Sequence, residues 1–237
     1  MNKIKVSAVS YTNTKTFVYG LTHSDIINSI DLSLDIPSEC ASKLISNQVD
    51  IGLVPVAALL NIPNYEIISD YCIGATGAVD SVFIFSNKSI EDVKSIRLDT
   101  HSRTSNNLAR VLLKNYWKLN PAIVDQDEDA FVLIGDRTFG KKKDYKYAYD
   151  LAEEWQNFTS LPFAFAVWAA NKPIGQEFVK EFNDALKYGV DNRLEVIKGL
   201  PLNGFDLEDY LQNKLDFNLD EKKREAIVLF LKYVKAL

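Results

Sequence analysis

Strand-like and helix-like segments alternate along the first 75 residues, and this alternation constrains the fold more than any other feature of the sequence. Four apolar segments are predicted to be strands, at 3–9, 33–37, 49–55 and 65–75. Stretches with helical spacing or capping residues separate them. Successive β–α units of this kind favour a mainly parallel sheet with helices on both faces.

Two further strand patterns, 79–85 and 163–169, bracket a middle segment that has its own alternation of strands and helices. If both strands cross between lobes, the chain is a two-lobed α/β protein with a cleft, where ligands bind beyond the carboxyl ends of strands. The first lobe then consists of 1–80 and 171–237, and the second of 81–170 with the crossover strands at its ends. After Pro173 the pattern predicts only helices, at 174–190, 191–199, 206–214 and 219–236.

Composition and charge argue against several classes of function. The net charge is −5 and the largest basic cluster is the three lysines at 141–143, so nucleic acid is not an expected partner. Cys40 and Cys72 lack metal-type spacing and the two histidines are far apart, which predicts buried reduced thiols and no metal site. The apolar stretches are too short to span a membrane and the amino terminus does not resemble a signal peptide, which predicts a cytoplasmic protein without membrane insertion.

Polar side chains follow the first predicted strand in unusual number. Residues 10–14 are Ser-Tyr-Thr-Asn-Thr, although one capping residue would suffice for a strand-to-helix turn. Asn13 could present its amide to a ligand or could only close a local Asx turn. The surplus of polar groups predicts that this loop faces a ligand.

A second polar cluster precedes the helical pattern that begins near residue 105. A capping role explains one of the hydroxyls of Ser102, Thr104 and Ser105, but not all three. Free amides and a partial positive charge at a helix N-terminus can hold a carboxylate or phosphate, and Arg103 would strengthen that preference. We therefore predict an anion site at this helix start.

Other polar side chains have a structural interpretation beside the functional one. A lone loop histidine such as His101 is more typical of a polar contact than of a catalytic base. Ser38 is expected to cap the helix that follows it. Ser81 either bonds across the hinge or points into the cleft. Asp136 could face the cleft, but a surface pair with Arg137 is the favoured interpretation.

Six stretches, taken together, resemble the MqnA family, the chorismate dehydratases of the futalosine route to menaquinone. In the family's order they are AVSYTNTKTF, VDIGLVPVAAL, GAVDSVFIFS, LDTHSRTS, LIGDRTF and YDLAEEWQNFTSLPFAFAVWAAN. The resemblance covers roughly residues 3–172. One departure is Thr16, where members of the family usually have proline.

The resemblance implies the two-lobed type II fold of periplasmic solute-binding proteins. It also implies a lyase that converts chorismate to 3-[(1-carboxyvinyl)oxy]benzoate and water, with no cofactor and with the substrate's enolpyruvyl carboxylate as the base. The sequence lacks nucleotide-binding, zinc-protease and serine-hydrolase motifs, which agrees with such chemistry. We predict Asn13 and Ser81 as catalytic residues, and the predicted substrate-binding residues are Tyr11, Ser38, Ser102, Arg103, Thr104 and Ser105.

Two alternatives remain open at this point. The sister enzyme that makes 1,4-dihydroxy-6-naphthoate has the same fold, although its first loop differs from the SYTNT found here. A non-catalytic solute-binding protein for a small carboxylate would also have a polar cleft. The sequence leaves the oligomeric state open.

Overall fold

Two β-sheets organise the structure, a computed structural model that describes residues 3–200 and 205–237. The six-stranded sheet has the order β11-β4-β10-β3-β1-β2, and the five-stranded sheet has the order β7-β6-β8-β5-β9. In chain order the strands are β1 (Ile4–Val9), β2 (Ile30–Asp35), β3 (Ile51–Pro55), β4 (Glu66–Ala75), β5 (Val82–Ser86), β6 (Ser95–Arg97), β7 (Ala122–Ile123), β8 (Ala130–Ile134), β9 (Tyr147–Asp150), β10 (Phe163–Ala170) and β11 (Asp216–Asn218).

Eight α-helices connect and cover these strands in the described parts of the chain. They are α1 (Lys15–Thr22), α2 (Pro37–Ile45), α3 (Arg103–Val111), α4 (Leu151–Thr159), α5 (Gln176–Asp191), α6 (Arg193–Lys198), α7 (Leu207–Asp209) and α8 (Glu221–Lys235). Short 3₁₀ helices cover Thr12–Thr14, Val56–Asn61 and Gly135–Thr138, among others, and π-helical turns follow α3 and α7. The helical pattern predicted near residues 105–117 is thus α3 with its π turn.

The first sheet is mixed, where the alternating pattern suggested a mainly parallel one. β1 pairs in parallel with β2 and β3, whereas β10 is antiparallel to β3 and β4. The chain leaves this sheet at the end of β4 and returns as β10, and Ala75 is paired with Phe163 where the two strands meet the second lobe. Because the chain re-enters the sheet at the same end at which it left, β10 runs antiparallel to β4.

The two sheets divide the chain at residues that differ slightly from the predicted lobe boundaries. β5 lies in the second sheet, but β10, predicted as the last strand of the second lobe, pairs with β3 and β4 of the first sheet. Segments 76–81 and 160–162 therefore connect the two sheets, and the boundary predicted at residue 170 falls after β10 instead of before it. Residues 1–2 and 201–204 of the predicted first lobe lie outside the described residues.

The carboxyl-terminal segment contains one strand among its helices. β11 pairs antiparallel with β4 at the edge of the first sheet, which corrects the prediction of helices alone. The pattern missed it because three residues are too few to establish a period of two. Its buried Phe217 packs edge-on against Phe17 of α1, with ring centroids 5.2 Å apart.

Helix α1 packs closely against α5, with direct contact between their backbones. A Cβ atom on Gly20 would collide with the carbonyl oxygen of Ala185, and one on Gly189 would collide with that of Thr16. Only glycine allows this approach, and it fixes the helix that begins next to the polar loop 10–14. The side chain of Thr16 is fully buried, and its hydroxyl has no hydrogen-bond partner among the described residues.

Cys40 and Cys72 are free thiols and both are buried, as the sequence predicts. Burial raises the pKa of the Cys40 thiol to about 12. No helix in the described ranges is long and apolar enough to cross a membrane. Those same ranges contain no group of three or more His, Cys, Asp or Glu side chains that could hold a metal ion.

Candidate functional site

A pocket with an empty volume of about 540 Å³ lies between the two sheets, where β1, β3 and β8 end. Six of the eight predicted site residues line it: Tyr11, Asn13, Ser81, Ser102, Thr104 and Ser105. Apolar side chains make most of the remaining wall: Val9, Ile73, Val79, Val82, Ile134 and Phe165. A few convergent polar groups in an otherwise apolar cleft are typical of a small-molecule site.

Ser38 and Arg103 do not line this pocket. Helix α2 begins at Pro37, so Ser38 lies inside the first turn and does not cap the helix as predicted. Proline at the first helical position fixes φ for the helix and moves its start one residue earlier than the serine suggests. The Arg103 guanidinium extends toward α2 and donates a hydrogen bond to Ser42 Oγ at 3.3 Å.

Three helices begin at the pocket. Thr14, Pro37 and Ser102 line it, and they stand at the starts of α1, α2 and α3. The side chains that line the pocket, all within the described part of the chain, include no Lys, Arg, Asp, Glu or His. The positive ends of helix dipoles, free first-turn amides and hydroxyls are therefore the groups available here for an anion.

The start of α3 is built from buried hydroxyls. Ser102 is the N-cap, and its Oγ accepts the amide of Ser105 at 3.0 Å and lies 2.9 Å from Ser105 Oγ. Thr104 Oγ1 accepts the amide of Ala57 at 3.1 Å, a bond that joins the second lobe to the first. The cluster thus caps a helix, joins the lobes and lines the pocket at the same time.

Asn13 and Ser81 meet at a buried phenol that the sequence does not indicate as a site residue. Tyr210 donates a hydrogen bond to Ser81 Oγ at 2.8 Å, and Asn13 Oδ1 accepts one from the hydroxyl of Thr14 at 3.0 Å. Burial raises the pKa of Tyr210 far above its usual value, and hydrogen bonding to Ser81 and Asn13 opposes that rise. Tyr210 lies in a helical segment whose apolar spacing accounts for its burial, so the sequence carries no signal that it reaches the site.

Tyr11 forms one wall of the pocket and reaches the second lobe. Its ring packs against Gly135, whose φ of +65° and lack of a Cβ atom permit the contact. The Tyr11 hydroxyl lies 2.8 Å from His101 Nδ1, and burial raises the pKa of the phenol. His101 is therefore a polar contact of a pocket residue.

Asp136, an acidic residue near the pocket, does not form the predicted pair with Arg137. Asp136 accepts hydrogen bonds from the amide and hydroxyl of Thr12 at 3.1 and 2.9 Å, across the two lobes. Arg137 instead forms an ion pair with the buried Asp99 at 2.7 Å. The expected surface pair between Asp136 and Arg137 is wrong, because a buried carboxylate two residues before His101 takes the guanidinium.

Asp150 fixes the segment that leads to Ser81. Its carboxylate accepts the amides of Val79 and Asp80 at 3.0 and 2.7 Å, and it also caps α4. Asp80 has a φ of +57°, a conformation that these bonds help to hold. Burial raises the pKa of Asp150 to about 6, although four backbone amides favour its ionised form.

A family model described as menaquinone biosynthesis matches residues 4–236. The chain belongs to the menaquinone biosynthesis family. A curated relative from Thermus thermophilus, named chorismate dehydratase, is 26% identical over 230 residues, which cover 82% of this chain and 83% of that protein. This membership confirms the family resemblance predicted from the six sequence stretches.

Solved structures identify the fold of this menaquinone biosynthesis family member. A protein from Archaeoglobus fulgidus matches with a TM-score of 0.77 at 16% identity, over 99% of this chain and 97% of that one. A Candida albicans gene product described as having the generic periplasmic binding protein fold matches with a TM-score of 0.69 at 15% identity, over 100% and 91%. The predicted two-lobed periplasmic-binding-protein-like fold is confirmed.

Proposed function

We propose that the protein is a chorismate dehydratase, a lyase that converts chorismate to 3-[(1-carboxyvinyl)oxy]benzoate and water. Membership of the menaquinone biosynthesis family and the name of the Thermus thermophilus relative support this proposal. The observation that carries it is the pocket, in which Asn13, Ser81 and the start of α3 face one apolar cleft. We further propose that it acts in the cytoplasm, where a biosynthetic step on a charged metabolite would occur.

The pocket suits a dianion without needing a bound cation. Chorismate carries two carboxylates, and one of them fits the free amides and hydroxyls at the start of α3. The dipoles of α1 and α2 add to the same local field. The apolar wall suits the ring, which becomes aromatic in the product.

The reaction needs orientation more than a strong protein base. The enolpyruvyl carboxylate takes the proton from C3, and the C3–C4 double bond forms as the C4–O bond breaks. Overall the proton from C3 and the hydroxide from C4 leave as one water molecule, and the carboxylate is ionised again. Aromatisation supplies the driving force, so the protein has to align the carboxylate with C3 and stabilise the leaving hydroxyl. We assign these roles to Asn13 and Ser81, which both line the pocket.

The test is to mix purified protein with chorismate and follow the ultraviolet spectrum and the product mass, with and without exhaustive chelation. We expect loss of water from chorismate in both samples. Loss of activity on chelation, with recovery on adding a metal, would contradict the cofactor-free reaction. Tight binding of chorismate without turnover would instead identify a solute-binding protein.

A further inference from the structure

We propose that Tyr210, from the carboxyl-terminal segment, is a positioning residue that directs the hydroxyl of Ser81 into the pocket. The inference rests on the proposed function, because it assigns Ser81 a role in the dehydration. It concerns a segment of the chain, 207–214, that carries none of the six family-like stretches.

The phenol of Tyr210 acts on Ser81 as a donor. Tyr210 is 1% exposed, and its hydroxyl lies 2.8 Å from Ser81 Oγ. A serine hydroxyl has one hydrogen to donate and lone pairs to accept with. When Ser81 Oγ accepts from Tyr210, its own hydrogen is left for a group in the pocket that Ser81 lines. A departing hydroxyl is such a group.

The backbone around Ser81 is fixed from two sides. The carbonyl of Ser81 accepts the amide of Gly135 at 2.8 Å, and Asp150 holds the two residues before it. With the backbone fixed, rotation about χ1 and of the hydroxyl are the remaining freedoms of this side chain. The hydrogen bond from Tyr210 limits both.

Tyr210 is itself held in a rigid aromatic cluster. The ring of Phe139, from the second lobe, meets it edge-on with centroids 5.3 Å apart, and Phe205 meets it similarly at 5.6 Å. A π-helical turn begins at Tyr210, where its carbonyl accepts the amide of Leu215 at 3.0 Å. Single π turns are frequent at functional sites because they re-aim one side chain of a helix.

A purely structural role for this hydroxyl predicts a different outcome from a positioning role. If the bond to Ser81 only satisfies a buried phenol, its removal lowers stability and leaves turnover per folded molecule unchanged. If it directs Ser81, its removal lowers kcat, and the effect requires the Ser81 hydroxyl. A double-mutant cycle separates the two cases.

The experiment compares Tyr210→Phe, Ser81→Ala and the double variant in the full chain, with chorismate as substrate. Tyr210→Phe keeps the aromatic cluster and removes one hydroxyl. We expect it to lower kcat by roughly 10- to 100-fold with KM changed less than about threefold, as for other transition-state contacts. In the Ser81→Ala background the same substitution should change kcat by less than about twofold.

Tyr149→Phe is the matched control, because the Tyr149 hydroxyl accepts the amide of Ile90 at 2.9 Å away from the pocket. It should lower the melting temperature and leave kcat unchanged. If Tyr210→Phe keeps the wild-type kcat, or lowers it equally with and without Ser81, the positioning role is wrong while the proposed function stands. If the wild-type protein does not convert chorismate at all, the proposed function fails and this inference fails with it.

Discussion

Asn13 occupies a position at which a side-chain amide supports little of the core. It is half-buried, it lines the pocket, and the hydroxyl of Thr14 occupies its carbonyl oxygen at 3.0 Å. The bond from Thr14 orients the amide group so that its N–H donors are directed away from that neighbour. This arrangement favours the ligand-directed interpretation over a simple local turn.

Asn13→Ala should therefore lower turnover and leave the fold intact. We expect kcat to fall by about 10²-fold or more, the scale of losing a positioning or polar stabilising contact. Chorismate affinity should change less, because the start of α3 still holds a carboxylate. Melting temperature, chorismate affinity and kcat measured on this one variant distinguish a positioning role from a local turn. A lower melting temperature with normal kcat would assign Asn13 to an Asx turn.

Helix α3 shows how one element combines stability and binding. Ser102 and Ser105 both line the pocket, but only Ser102 caps the helix. Ser105→Ala should thus weaken chorismate binding by roughly 10-fold or more, since a hydrogen bond to a charged group contributes about 1.5–3 kcal/mol. Ser102→Ala should in addition lower the free energy of unfolding by about 1 kcal/mol. Calorimetry measures the chorismate affinity of each variant, and denaturant unfolding measures its stability. Normal binding of chorismate by Ser105→Ala would contradict this prediction.

The segment before Ser81 should make stability depend on pH. Burial raises the pKa of Asp150 from 3.8 to about 6, so the folded protein binds this proton more tightly than the unfolded chain does. The resulting stabilisation is complete below pH 3.8 and is lost as the pH rises through 6, by up to about 3 kcal/mol. The pKa values of Asp35 and Asp50 are lowered despite burial, through bonds to Lys43 and Lys172, so their contribution is lost only at more acidic pH.

We therefore expect the free energy of unfolding to fall between pH 5 and pH 7, and this slope to be smaller in Asp150→Asn. That variant should also be less stable throughout, because an amide cannot accept all four backbone N–H groups. Denaturant unfolding at several pH values is the measurement. Equal slopes in the two proteins would show that Asp150 is not the titrating group.

The sequence predicted those elements whose patterns are long and apolar, and missed those that depend on tertiary pairing. The predicted crossover strand 163–169 corresponds to β10, and its pairing with β3 and β4 could not be predicted, because hydrophobic pattern does not specify which sheet a strand joins. Six predicted site residues line the pocket because caps and loop hydroxyls follow strand ends. Arg103 does not, since its side chain turns toward Ser42. The sequence does not indicate Tyr210, because a buried tyrosine in an amphipathic segment gives the same pattern whether it only packs in the core or also orients a site residue.

At the scale of the whole molecule, the two lobes are held together by hydrogen bonds at the rim of the pocket. Thr12 binds Asp136, Thr104 accepts from Ala57, and Tyr11 lies against His101. Each of these pairs joins a residue of one lobe to a residue of the other. We infer that a substrate bound between the lobes would gain affinity from such contacts, because they favour the arrangement in which both lobes touch it.

Thr12→Val tests this coupling without changing the charge near a dianionic substrate. The variant keeps the backbone amide bond to Asp136 and loses the hydroxyl bond of 2.9 Å to the same carboxylate. Removing a hydrogen bond to a charged group costs about 1.5–3 kcal/mol, so the closed state should be less populated and chorismate affinity should fall by about 10-fold or more. Thr22→Val, whose hydroxyl bonds only within and beside α1, is the matched control and should bind normally. Small-angle X-ray scattering should show a larger radius of gyration for Thr12→Val alone; unchanged affinity and scattering in that variant would mean that the rim bonds do not govern closure.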